Sequence, residues 1–402
     1  MPKRSMRLAS GTVMMLFAGI IYAWSILKAP LAAEFGWNST QLGLNYTVTM
    51  GSFCIGNILC GILIKRLSPR VLTLIGAVIT CAGFILSAQN QGSLTMLYIT
   101  YGFMCGTGIG IVYNTIITTV STWFADKRAT ASGALMMGFG FSSLFLGAAA
   151  GKLIDAIGWR NCYSALGISI FIVLFLGSFF MKPCSSIAEG TAANHNDISP
   201  GQMVRKASFL KFYLFLVLLG ALGNCVISLA KDISLAAGAT ETLSVYFVGL
   251  LSVSNGAGRI LFGRMLDRRG RRRSMVVAGS AGIISMLFSI IAVTQGSVVF
   301  LFLSLVFVGL TYGSVPTVTS GYVSKSYGLT HFSINFSIAN TMLIISSFAA
   351  TIGGMILIST GSFVPVFVML LIFAAAALVI ALTMGKLQSR SPETIYEAAE
   401  QE

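Results

Sequence analysis

Acidic side chains are nearly missing from this chain: 12 Asp and Glu among 402 residues, beside 26 Lys and Arg and two His. Charged residues of both signs make up 9% of the sequence, far too little polar surface for a soluble fold of this length. A membrane-embedded enzyme would need His, Asp or Glu clustered at membrane depth. The few carboxylates here nearly all fall in loops or in the tail, so no catalytic role is expected. No CxxC pair occurs, and neither histidine stands at metal-ligand spacing from a cysteine. The seven cysteines (Cys54, Cys60, Cys81, Cys105, Cys162, Cys184 and Cys225) mostly sit inside apolar runs and read as small core residues. No metal, cofactor or redox centre is expected. His195 lies in a polar connection and His331 near a helix end, positions that suit neither catalysis nor metal binding.

What the chain has instead is apolar length. Hydrophobic residues make up 55%, mean hydropathy is +0.86, and 43 glycines are spread among them. Stretches of about 18 or more apolar residues read as membrane helices, and small residues let such helices approach closely. The pattern predicts helices at 9–33, 41–64, 71–89, 95–123, 129–153 and 159–181, then at 209–234, 242–266, 273–294, 296–323, 331–358 and 362–385. Between the two sets, 182–206 is polar, holds Pro183 and Pro200, and lacks apolar periodicity. The expected organisation is a six-helix bundle at 1–181, a cytoplasmic linker at 182–206, a second bundle at 207–385 and a cytoplasmic tail at 386–402. The basic opening, Met1 to Arg7, resembles a signal-peptide n-region. The segment that follows is too long and lacks a cleavage pattern, so it reads as a retained first span.

The net charge of +14 suggests nucleic acid until its distribution is examined. Lys and Arg gather in every second loop, which sets orientation in a membrane. One side receives Lys3, Arg4, Arg7, Lys65, Arg66, Arg70, Lys127, Arg128, Lys182, Arg205, Lys206, Lys211, the 264–273 cluster, Lys325, Lys386 and Arg390. The other keeps Lys28, Lys152, Arg160 and Lys231. Both termini are therefore expected in the cytoplasm, in an inner (plasma) membrane protein with no nucleic-acid partner, acting as a monomer.

The strongest pattern is an internal repeat. Gly61-Ile-Leu-Ile-Lys65-Arg66-Leu-Ser-Pro69-Arg70 aligns, half a chain later, with Gly263-Arg-Met-Leu-Asp267-Arg268-Arg269-Gly270-Arg271-Arg272. Duplication of a six-helix unit predicts this, with a substrate site between the halves near the midplane. The second copy resembles the loop signature of the major facilitator superfamily, G-x-x-x-D-R-x-G-R-R. That resemblance implies an all-α membrane protein of twelve transmembrane helices in two pseudo-symmetric bundles. It also implies a gating latch around Asp267, Arg268 and Arg271. The first copy has Lys65 and Ser68 where Asp and Gly are usual, so a gating role for Lys65 and Arg66 lacks its carboxylate. A purely topogenic charge cluster is the alternative for both copies.

Within that superfamily the N-terminal half resembles the oxalate:formate antiporter family, a relative of the monocarboxylate carriers. The residues that carry the likeness are Tyr22-Ala-Trp24-Ser25, Pro30-Leu31, Glu34-Phe35-Gly36-Trp37 and Gly108-Ile-Gly110-Ile-Val-Tyr113-Asn114. Trp123-Phe124-Ala-Asp126-Lys127-Arg128 and Ala131-Ser132-Gly133 continue it. The implied activity is transport of small organic anions by alternating access. Exchange of the oxalate:formate type and a transport-inactive sensor of the same fold remain as alternatives.

Arg259 is the leading site candidate. It lies about 10 Å of helical rise inside the basic end of its helix, farther than an Arg side chain readily snorkels. A cation at membrane depth costs at least about 2.5–3.5 kcal/mol, which makes function the default explanation. Its repeat counterpart is Asn57, so the fold does not demand the charge. Guanidinium is a natural bidentate partner for a carboxylate. Asn255, one turn earlier, shares its helix face; monocarboxylate carriers often have an Asp there, and Asn cannot titrate. The resemblance implies that Tyr22, Tyr113 and Tyr312 line the central cavity with Phe139 nearby. It also places a Lys of the oxalate carrier where this chain has Asn340, and an aromatic where it has Ser337. One Arg facing one carboxylate favours monocarboxylates such as lactate, pyruvate or formate. No carboxylate lies clearly at the midplane, which leans towards exchange or facilitated flux, with proton symport held open. Lys28, Lys231 and Asp232 read as solvated helix ends.

Overall fold

An apolar bilayer offers the backbone no hydrogen bonds, so each crossing must satisfy its own N–H and C=O groups along a helix. The computed structural model describes residues 4–183, 197–328 and 330–384, and among them it forms helices and turns but no strand. Lys3, Cys184, His195, Lys386, Arg390, the tail after Met384 and residues 184–196 of the connection lie outside the described residues. So do the side chains of Asp126, Lys127 and Arg128.

The first helices are α1 (Arg4–Phe35), α2 (Ser39–Leu63), α3 (Pro69–Ala88) and α4 (Leu94–Phe124). The next stretch, Thr130–Ser178, is 49 residues long. Such a helix would rise about 70 Å, more than twice a ~30 Å hydrocarbon core. Gly158, at φ 77° and ψ 158°, breaks it into α5 (130–157) and α6 (159–178). The second set is α7 (Ala207–Ala236), α8 (Glu241–Arg269), α9 (Arg271–Gln295), α10 (Val298–Tyr327), α11 (Phe332–Thr360) and α12 (Val364–Thr383). A one-turn helix, Pro200–Val204, precedes α7.

One helix start lies well outside expectation; the others fall within two residues of it. The first helix begins at Arg4 rather than residue 9 because Arg7 is buried, not a solvated end. Its guanidinium donates to Phe180 O (2.9 Å) and Lys182 O (3.2 Å) and stacks 4.2 Å from the Trp123 ring. Those acceptors lie just past α6, so Arg7 ties the two ends of the first bundle together. Between the ninth and tenth helices, α9 runs on to Gln295, where Gly296 at φ 61° caps it, and α10 starts at Val298.

The two sets pack alike. Helix α2 lies against α4 and α8 against α10, while α3 pairs with α6 and α9 with α12. Glycine makes the equivalent close approaches: a Cβ on Gly106 of α4 would sit 2.5 Å from Thr49 O of α2, and one on Gly258 of α8 2.6 Å from Leu310 O of α10. The glycine run in α4 is thus a packing face, as expected for small residues between membrane helices. Helices α3, α6, α9 and α12 turn exposed side chains such as Val78, Ile172, Leu287 and Ile372 outward, as a lipid-facing layer requires. The halves meet through α2 against α11, α5 against α8, and α1 against α7.

Candidate functional site

The helices that meet between the halves are irregular at the same depth. In α1 the backbone tightens to a 3₁₀ segment over Gly19–Ala23, which contains Tyr22. In α11 the helix stops at Asn340 and restarts at Met342. Pro316 in α10 removes the donor for the carbonyl of Tyr312. Irregular backbone at membrane depth is tolerated where it lines a cavity, and the cavity is there. It is bounded by Tyr22, Tyr113, Phe139, Arg259, Tyr312 and Asn340, with Ile21, Met50, Phe53, Val315, Pro316, Met342 and Leu343.

Arg259 does not snorkel; it is 1% exposed. Its Nη1 donates to Met136 O of α5, and its Nε donates to Asn255 Oδ1 at 3.3 Å. The guanidinium carbon lies 5.9 Å from the Tyr22 ring centre and 5.8 Å from that of Phe139. A guanidinium has five donors, so the part bordering the cavity keeps capacity for an anion. Phe139 stands edge-on to Tyr22 (5.1 Å) and Tyr113 (5.2 Å), which makes an aromatic box around the charge. Asn340 is 2% exposed, and its Nδ2 has no partner among the described residues. A buried amide donor without a partner is costly, and an acceptor entering the cavity would relieve it.

Asn255 is placed differently from the rest. It lines a second, separate pocket with Tyr22, Ser143, Ile227, Leu251 and Ser252. Among the described residues the buried charged groups are Arg7 and Arg259, and no Asp or Glu is buried.

The gating candidates separate into two groups. Asp267 Oδ2 accepts from Thr130 N (3.1 Å) and Thr130 Oγ1 (2.9 Å), so α8 of the second half is bonded to the start of α5 in the first. Its Oδ1 pairs with Lys325 Nζ at 3.1 Å. Arg271 stacks 4.9 Å from the Tyr322 ring within its own half. Lys65, Arg66 and Arg268 are exposed at the same face. On the opposite face Lys28 is half-buried rather than solvated: its Nζ donates to Ser228 O (3.3 Å), which joins α1 to α7. Asp232 is exposed, and Lys231 pairs with Glu241 at 2.7 Å.

Sequence reasoning passed over two amide hubs. Asn224 of α7 accepts through Oδ1 from Tyr312 OH (2.9 Å) and Tyr46 OH (3.4 Å) and donates to Ser346 Oγ (2.8 Å). Tyr312 OH lies 3.2 Å from Tyr22 OH, so the network ends at the cavity. Asn114 of α4 donates to Asn57 O (2.9 Å) and Ser337 Oγ (2.8 Å), and its Oδ1 accepts from Thr118 (3.1 Å) and Ser333 (3.4 Å). Each hub bridges the halves, Asn224 on the side away from the basic loops and Asn114 towards them. A lone Asn inside an apolar helix was the available signal. Replacing Asn224 with Leu leaves two hydroxyls without their acceptor and Ser346 without its donor. The expected cost is about 1–3 kcal/mol, read as a lower melting temperature of the purified protein; an unchanged melting temperature would discard the hub.

The chain matches the Major Facilitator Superfamily over residues 9–342 and 223–400. It is 27% identical to the oxalate:formate antiporter of Oxalobacter formigenes over 79% of this chain and 78% of the other. An uncharacterized MFS-type transporter of Escherichia coli (strain K12) is 22% identical over 82% of both chains. The monocarboxylate transporter 12-B of Danio rerio is 23% identical over 75% of this chain and 70% of its own.

Proposed function

The chain belongs to the Major Facilitator Superfamily, and from that premise we propose that it carries small monocarboxylates across the membrane by alternating access of its two halves. The observation that carries the proposal is Arg259: a buried guanidinium with unspent donors, walled by Tyr22, Tyr113 and Phe139, at the junction of the halves. A cation in a low-dielectric, neutral cavity attracts one carboxylate, and the rings exclude water around it. The two relatives named for oxalate, formate and monocarboxylates agree with that charge logic. The chain is a multi-pass membrane protein, and the excess of basic residues beside α2, α8 and the connection supports a cytoplasmic position for both termini. We divide the chain into bundles at 1–181 and 207–385, joined by 182–206.

Coupling follows from what the site lacks. A proton symporter needs a titrating group that changes charge with the cargo, and no buried carboxylate serves that purpose among the described residues. Exchange of one small anion for another, or facilitated flux, is the mode the cavity supports. Proteoliposomes loaded with lactate or formate should take up the labelled anion by counterflow, without a need for a pH gradient. Absence of counterflow with every small monocarboxylate would overturn the substrate class.

A further inference from the structure

The two copies of the loop signature should make equivalent contacts if the halves were exact repeats. Asp267, at the end of α8, holds the first turn of α5 through Thr130 N and Thr130 Oγ1. The repeat partner of α8 is α2 and that of α5 is α11, so a carboxylate at position 65 would hold the start of α11. That position is Lys65, exposed to solvent. The start of α11 is nonetheless held in the same way. Asp197 Oδ2 accepts from Thr330 N (2.8 Å) and Thr330 Oγ1 (2.6 Å), just ahead of the first turn of α11. We propose that Asp197, at the end of the inter-half connection, replaces the carboxylate missing from the first signature and serves as the clamp on α11.

The seat is built for it. Ile198 N donates to Tyr327 O (3.0 Å), and Asn335 Nδ2 donates to Ile198 O (3.0 Å), so the connection lies in the α10–α11 turn with backbone bonds on both sides. Gly328 has φ 81°, and a Cβ there would overlap the Asp197 carboxylate; the turn admits the acid only with glycine. The start of a helix carries free N–H groups and a positive partial charge, which an Asp satisfies and a Lys opposes. A Lys at 65 is thus tolerated only because the clamp has moved to another residue.

The relocation changes what moves. Asp267 crosses between the halves, so its bonds must break when the basic face opens. Asp197 holds α11 from the end of the connection, which is bonded to the second half at Tyr327 and Thr330, so its bonds can persist through the cycle. Among the described residues, Asp267 is then the charged latch across the halves on the basic face, beside neutral bonds such as Asn114–Ser337 and Ser320–Ser132.

Hydrogen exchange on the full-length protein in nanodiscs tests this. Asp197→Ala, which removes the acceptor, should speed exchange of the 328–336 amides at least tenfold while 130–136 stay as in the wild type. Gly61 of α2 faces Ile334 of α11, with its ideal Cβ 3.2 Å from Ile334 Cα. Lys65 lies just past the end of α2 and Thr330 just ahead of α11, so both stand beyond the Gly61–Ile334 contact on the basic face. The double variant Asp197→Ala/Lys65→Asp should therefore restore protection. Unchanged exchange in Asp197→Ala overturns the clamp, and faster exchange that Lys65→Asp does not reverse overturns the replacement. The readout needs no substrate, so it stands apart from the transport test.

Discussion

Arg259→Ala should abolish carrier-mediated exchange while leaving a folded protein. Truncating one partner of a buried, hydrogen-bonded charge pair costs about 2–5 kcal/mol. At 1.4 kcal/mol per decade this is roughly 30-fold to several-thousandfold in apparent affinity. The structural loss is smaller: Met136 O and Asn255 Oδ1 lose one donor each, about 1–3 kcal/mol together. A melting curve near the wild type beside a collapsed counterflow rate is therefore the expected pair of results. Arg259→Lys keeps the charge but replaces a planar fork with a point donor. It should recover part of the affinity for a spherical anion and little for a carboxylate. A wild-type exchange rate in Arg259→Ala would remove the site from this cavity.

Monocarboxylates should be preferred over oxalate, and Asn340→Lys should reverse much of that preference. The cavity presents one guanidinium, and Asn340 Nδ2 is a buried donor in its lining with no partner among the described residues. A second carboxylate would enter a low-dielectric space with only a neutral amide to meet it. Leaving a buried charge without its partner costs about 3–5 kcal/mol, of which one amide bond returns about 1.5–3. The net of a few kcal/mol corresponds to roughly tenfold or more against oxalate. Lysine at 340 would supply the missing charge and, in exchange, would weaken lactate by placing an uncompensated cation beside it. Competition of each anion against labelled lactate, in wild type and variant, measures both changes. Oxalate binding by the wild type as tight as lactate would mean that another cation reaches the cavity. Lys28, whose Nζ is held at Ser228 O between α1 and α7, is the first to examine.

The helices, their order and the sidedness of the charge were legible in the sequence because a bilayer leaves few solutions. Apolar runs must be helices, and Lys and Arg must collect on one side. Arg259 was legible for the same reason, since an ionisable group in such a run has few explanations. The sequence also showed that the first signature lacks its acid at Lys65. What only the tertiary structure decided is which polar groups meet. Asn224 and Asn114 sit among apolar residues like many other small polar side chains, and nothing along the chain says that Asn224 faces Tyr46, Tyr312 and Ser346. Lys28 looked like a solvated end until α7 came beside it, and Asp197 like one more residue of a polar connection until the turn at Gly328 received it. Hydropathy is a property of one helix and its solvent, so it can be read along the chain. A hydrogen bond between helices depends on rotation and crossing of both, which packing sets once all twelve are in place.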